Sequence, residues 1–258
     1  MRIGFIFVAG ETSGTFFARQ VSARKAMVSP GTEVCIFPLG GPGDAIETEL
    51  DEALATPFIL ARVREAAQAG CDAIIIDCAL DPALAAASTL VDVPVIGPGR
   101  SALSLAAALG DRIALLLHDA VALPAFRRRL AMYGFSERVV SVRALGLQIL
   151  RMGVDRAVEQ VVETTARVAV DEEGAEVVIL GCTGLAPVAE RVRSRLPVPL
   201  IEPVAAAVRV AESMLAAGGI PGERERRPSP WLPVLDWPEL CSGSGRAEEE
   251  STGDKKVD

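Results

Sequence analysis

The sequence predicts an α/β fold with mainly parallel sheets, doubly wound and organised as two similar domains. Three observations lead there. Branched aliphatic runs with the length of strands buried on both faces alternate with helical segments rich in Ala, Leu, Arg and Glu. The order of elements in the first half of the chain is repeated in the second. Finally, Ala73-Ile-Ile-Ile-Asp-Cys78 and Val177-Val-Ile-Leu-Gly-Cys182 each end a buried run on a cysteine. Ligands of open α/β sheets collect where such strands end, so both thiols are expected to face a cleft.

Residues 2–9 read as the first strand, 10–14 (Gly-Glu-Thr-Ser-Gly) as a turn and 15–28 as a helix. The turn is not G-x-G-x-x-G and lacks the Gly-Lys-Ser/Thr of a P-loop, which argues against a nucleotide site. A second strand at 33–37 leads into the Gly- and Pro-rich loop 38–43, then a helix at 51–70 stopped by Gly70 and the strand 73–77. Asp81-Pro82 has the form of a cap followed by a first helical residue, predicting a helix at 83–90. A short strand at 93–96, a turn at 97–99 and a helix at 101–109 complete the first series. The second series predicts strand 112–117, helix 123–133, strand 138–142, helix 155–170, strand 176–180, helix 184–196, strand 198–201 and helix 204–217. Residues 1–98 with 202–218 are expected to form one domain and 99–201 the other. The tail 219–258, polar and strongly charged beyond Ser242, is expected to be mobile except where Trp231–Leu240 docks on the body or a neighbouring subunit.

Composition narrows the function. The chain has 258 residues, 50% of them hydrophobic and only 4% aromatic, with a formal charge of −8. An acidic chain poor in aromatics is not built to grip phosphate backbones or stack bases, so no nucleic-acid partner is expected. No apolar stretch is long enough to span a bilayer, and the N-terminus lacks an export pattern; the expected compartment is the cytoplasm. Five cysteines without C-x-x-C spacing suit reduced thiols rather than disulfides. His118 is the only histidine and no ligand cluster appears, so no metal is expected. Lysine is confined to positions 25, 255 and 256, a poor supply for a Schiff-base cofactor, and none is expected. The predicted partner is a small-molecule substrate, bound by a homo-oligomer.

Cys78-Ala-Leu-Asp-Pro82, Leu180-Gly-Cys-Thr-Gly-Leu185 and Ile201-Glu-Pro-Val-Ala-Ala-Ala-Val-Arg-Val-Ala-Glu212 resemble the aspartate/glutamate/hydantoin racemase superfamily, nearest its hydantoin branch. The resemblance runs from Met1 to about Ala217. It implies two α/β domains with the active site between them, no cofactor, and Cys78 and Cys182 as an acid/base pair that moves a proton at a carbon next to a carbonyl. Substrate contacts are expected from Glu11, Thr12 and Ser13, from Ala79 and Leu80, and from Thr183 and Gly184, all of which lie at the ends of the strands. Ala9-Gly-Glu-Thr-Ser13 replaces the Asn-Pro-Asn-Thr usual in the hydantoin branch. Ala79-Leu80 and Gly184 replace the Asn-Thr and His that amino-acid racemases carry, so a less charged, hydantoin-like substrate is expected. A maleate isomerase or arylmalonate decarboxylase relative, or a non-catalytic sensor of small molecules, are the alternatives.

Thiols suit such chemistry because local fields can bring their pKa towards neutrality. Helices starting directly after each cysteine are expected to turn positive ends on the sulfurs. The amides of residues 79, 80, 183 and 184 are expected to hold developing negative charge. Cys35 and Cys71 read as small buried hydrophobes. Asp77 reads as structural, because it alternates away from Cys78. For His118 a structural role is preferred over orienting substrate.

Overall fold

The computed structural model of the chain describes residues 1–8, 14–40, 43, 45–147, 156–218 and 229–236. Its strands form two four-stranded sheets. The first comprises β1 (Arg2–Phe7), β2 (Glu33–Pro38), β3 (Ala73–Asp77) and β4 (Val95–Ile96) in the order β2-β1-β3-β4. The second comprises β5 (Ile113–Leu117), β6 (Val139–Ala144), β7 (Val177–Leu180) and β8 (Leu200–Ile201) in the order β6-β5-β7-β8. Every pairing is parallel. Every residue of β3, β5 and β7 is buried, as continuous aliphatic runs require when helices cover both faces. The strand order reverses between β1 and β3 and again between β5 and β7, so each sheet has its crevice at those strand ends.

The helices are α1 (Gly14–Met27), α2 (Glu49–Gln68), α3 (Leu84–Leu90), α4 (Pro98–Leu109), α5 (Leu123–Tyr133), α6 (Arg156–Asp171), α7 (Ala186–Arg193) and α8 (Pro203–Ala216). Thr48 and Asp51 form a reciprocal capping box at the start of α2. Two helices are exchanged between the sheets. α4 leaves β4 but buries Ala102, Leu103 and Ala106 with Ile113, Leu115, Val177 and Ile179 of the second sheet. α8 leaves β8 but buries Val204, Ala207, Val208 and Ala211 with Ile3, Phe5, Ala73 and Ile75 of the first. The alanines let α4 and α8 lie side by side between the two lobes, joining them through shared apolar packing.

Several boundaries differ from expectation, and one difference reaches the site. α4 starts at Pro98, and a 3₁₀ turn at Thr183–Leu185 precedes α7. Asp81 does not cap the helix after Cys78. It has a left-handed φ of 51°, as does Ala83 at 57°, and α3 begins only at Leu84. Of the tail, only residues 229–236 are among those described. The 3₁₀ turn Leu232–Asp236 buries Leu235 and is held by Arg64 of α2, which donates to the Leu235 carbonyl at 2.9 Å and pairs with Asp236 at 2.6 Å.

Candidate active site

Cys78 follows β3 directly, and Cys182 follows β7 after one glycine. The Gly181 N–H donates to the Leu116 carbonyl at 2.7 Å, and a Cβ there would stand 2.6 Å from Leu117 Cδ2. Only glycine lets the chain pass that close to β5 and present the next side chain at the strand end. Both thiols are free and only partly buried by accessible surface. They come from different sheets, yet a charge on Cys182 works against ionisation of Cys78.

Their surroundings are unequal. Burial pushes the Cys78 thiol far above its ordinary range; the Leu80 N–H opposes this, while Cys182, Asp81 and Asp77 reinforce it. Burial also raises Cys182, to about 11, but the N–H groups of Gly184 and Leu185 and the charge of Arg24 pull the other way. Without a ligand neither sulfur is brought towards neutrality as the sequence suggested: α3 starts six residues beyond Cys78, and desolvation outweighs the local amides. The better thiolate is Cys182.

The Arg24 that favours it was invisible in the sequence, where it looks like any basic residue of a helix. It is 1% exposed. Its guanidinium forks onto Asp77, with Nε to Oδ2 at 2.8 Å and Nη2 to Oδ1 at 2.9 Å, and stacks 5.8 Å from the centre of the Phe7 ring. It also donates to the Thr183 carbonyl at 3.2 Å, and Gln20 donates to the Gly184 carbonyl at 2.9 Å. The Thr183 hydroxyl donates to the Asp77 carbonyl at 3.2 Å. Helix α1 and the end of β3 thus fix the loop carrying Cys182, and the Thr183 hydroxyl proton is spent on holding the lobes together.

Asp81 does for the Cys78 loop what Arg24 does for the other. Fully buried, its carboxylate accepts the N–H groups of Gly99 at 2.8 Å and Arg100 at 2.7 Å, capping α4, and the Tyr133 hydroxyl at 2.9 Å. Glu202 caps α8 in the matching place of the other lobe, accepting from Val204 at 3.0 Å and Ala205 at 2.6 Å. Burial raises Asp81 to about 6 and Glu202 to about 7. The opposite rim is closed by side-chain contacts between the lobes, two of them arginine–glutamate ion pairs. His118 Nε2 meets Glu47 at 2.5 Å, Arg128 meets Glu49 at 2.7 Å and Arg129 meets Glu52 at 2.9 Å.

The expected residues Cys78, Ala79, Leu80, Cys182, Thr183 and Gly184 therefore gather at two adjoining strand ends, while Glu11, Thr12 and Ser13 lie outside the described residues. Among the described residues no group of three or more His, Cys, Asp and Glu side chains is placed to hold a metal ion, and no helix is long and apolar enough to cross a membrane.

Residues 7–211 match the model of the Asp/Glu/hydantoin racemase family. The chain is 33% identical over 221 residues to a hydantoin racemase of Paenarthrobacter aurescens, covering 83% of this chain and 92% of that one. It is 33% identical over 175 residues to a hydantoin racemase of Rhizobium meliloti, covering 67% and 73%. The solved allantoin racemase from Klebsiella pneumoniae superposes with a TM-score of 0.79 at 28% identity, over 90% of this chain and 98% of that one.

Proposed function

The chain belongs to the Asp/Glu/hydantoin racemase family and is an isomerase of the racemase type; from that premise we propose that Cys78 and Cys182 invert a carbon next to a carbonyl in a hydantoin-like cyclic amide. One observation carries this reading: two free thiols end corresponding strands of two sheets, and the loops that bear them are tied together where the Thr183 hydroxyl donates to the Asp77 carbonyl. A single base removes a proton from one face only. Inversion needs a proton donor on the other face, and a second thiol supplies it.

In the proposed cycle one sulfur starts as thiolate and takes the proton from the stereocentre, forming an S–H bond while the C–H electron pair moves into the adjacent carbonyl as an enolate. The opposite thiol then gives its proton to the other face, and the carbonyl re-forms. Each turnover leaves the two sulfurs with exchanged protonation states, so the next molecule is served from the opposite side. The amides of Ala79 and Thr183 are the donors for the enolate oxygen, those of Leu80 and Gly184 being turned to the sulfurs, and no cofactor is needed. The Gly184 and Leu185 amides and Arg24 make Cys182 the easier of the two to ionise, so it is the thiolate that starts the cycle while Cys78 carries the proton. Because the base must be ionised and burial raises it, kcat/KM is expected to climb as pH rises through and above neutrality.

The test is racemisation of an optically pure 5-substituted hydantoin in heavy water, followed by polarimetry and mass spectrometry. Loss of rotation should be matched by one deuterium in the inverted product. Cys78→Ser and Cys182→Ser should each abolish racemisation; full activity in either variant overturns the mechanism, and inertness of the wild type towards a panel of hydantoins overturns the substrate class.

A further inference from the structure

His118 stands on the other flank of the second sheet's crevice. β5 pairs with β7 up to Leu116 beside Leu180, and the Gly181 N–H still reaches the Leu116 carbonyl. His118 lies two residues beyond Leu116 and Cys182 two beyond Leu180, so both leave the sheet at the ends of the neighbouring strands where the strand order reverses. The imidazole is held from the other lobe: its Nε2 lies 2.5 Å from Glu47 Oε1, and its side chain is 15% exposed. The other ring nitrogen, Nδ1, is buried and has no hydrogen-bond partner.

A buried nitrogen left without a partner is costly, and at a cleft end the missing partner is most simply a ligand. The carboxylate of Glu47 can only accept, so Nε2 carries the ring proton and Nδ1 of the neutral ring is an acceptor. We propose that His118 Nδ1 accepts a hydrogen bond from a ring N–H of the substrate, making the His118–Glu47 pair the element that selects cyclic amides and ureides with a free N–H over N-alkylated ones. The inference rests on the proposed hydantoin-like substrate and adds what that reading lacks: a contact to a part of the ring that does not react. Glu47 acts as a positioning residue, fixing tautomer and ring plane across the lobes.

His118 is the only histidine of the chain, so every imidazole resonance in an NMR spectrum belongs to it. In wild-type protein with labelled histidine, a 5-substituted hydantoin should shift Nδ1 strongly while Nε2 stays protonated. A derivative methylated on the contacting ring nitrogen should leave Nδ1 unmoved. In kinetics, His118→Leu should raise KM about 3- to 10-fold, the weight of one hydrogen bond, with kcat held within about twofold and the preference over the methylated derivative lost. His118→Asn, which keeps an acceptor where Nδ1 stands, should restore part of that preference. Racemisation with an unmoved Nδ1 resonance overturns this inference alone. A ligand-shifted Nδ1 without racemisation overturns the proposed reaction alone, and neither shift nor racemisation overturns both.

Discussion

The two lobes repeat one strand order yet finish their central strands differently. In the first, Cys78 enters a loop with two non-glycine residues in left-handed geometry and only the Leu80 amide turned to the sulfur. The cap for α4 is supplied by Asp81 from 18 residues upstream, because Gly97 occupies the place that Glu202 fills before α8. In the second lobe, Cys182 enters a 3₁₀ turn with two amides facing it, Arg24 beneath it, and a cap supplied locally. Duplicated topology fixes where the thiols stand, while the loops that follow decide which is more easily ionised. The pair proposed to pass a proton in both directions is thus built from unequal halves.

The largest effect should come from removing the charge that sets this inequality. Arg24→Met leaves Asp77 buried without its partner, and breaking such a pair costs about 3–5 kcal/mol. Urea unfolding should show that loss. Alkylation of Cys182 at pH 8 should slow, since its thiol loses the nearby positive charge. Unchanged stability and unchanged alkylation would erase the difference drawn between the lobes.

The next effect tests the loop of the first lobe. A Cβ at Gly99 would stand 2.1 Å from the Ala79 carbonyl oxygen, a backbone atom one residue past Cys78. Gly99→Ala must displace that peptide, at about 1–3 kcal/mol by analogy with other overpacked sites, and racemisation should fall together with Tm. A Cβ at Gly97 instead meets the Asp81 carboxylate at 2.5 Å. Gly97→Ala should therefore weaken the α4 cap before it disturbs the thiol. Equal activity loss in both variants would mean that the cap and the Cys78 loop move as one unit.

The two capping carboxylates give the comparison a pH signature. Asp81 at about 6 and Glu202 at about 7 stand above their ordinary 3.8 and 4.5, chiefly through burial. The folded chain therefore keeps protons that the unfolded chain releases. Their stabilising contribution is complete below about pH 4, and it is lost as pH rises through about 6 for Asp81 and about 7 for Glu202. Carboxylates lowered by their partners, such as Glu173 beside Arg143, act in the opposite sense, so the test is by difference. Asp81→Asn should remove the lower part of the decline in Tm between pH 4 and 7, and Glu202→Gln the upper part. Parallel curves for wild type and both variants would refute the assignment.

What the sequence reveals of this arrangement follows the range of the forces involved. Strands such as Ala73–Asp77 and Val177–Leu180 are legible because burial on both faces demands continuous aliphatic runs, and the matched cysteines stand just beyond both strand ends. Asp81-Pro82 misleads because a cap is read from its neighbours, whereas this carboxylate serves a helix 17 residues further on. Arg24 and Glu47 carry no local mark, since their partners are 53 and 71 residues away. Likewise nothing in Leu-Leu-His118 tells that one ring nitrogen is satisfied and the other is not. Elements set by local periodicity can be read from sequence, while the acidity of the thiols, set by contacts between lobes, cannot.

The smallest effect isolates the strain in the first loop. Ala83 holds φ at 57°, a conformation that costs a residue with a Cβ about 1–2 kcal/mol and glycine almost nothing. Its N–H is fixed by Glu52 at 3.1 Å, and Glu52 in turn meets Arg129 of the other lobe at 2.9 Å, so the contacts between lobes over-determine the loop. Ala83→Gly relieves the strain but adds freedom to the unfolded chain worth about 0.4–1 kcal/mol. A net gain between zero and about 1.6 kcal/mol is expected in urea unfolding, with kcat/KM unchanged because Glu52 and Asp81 still set the path of the loop. If racemisation falls instead, the strained alanine helps aim Cys78, and the first lobe positions its thiol through backbone strain where the second uses charge and amides.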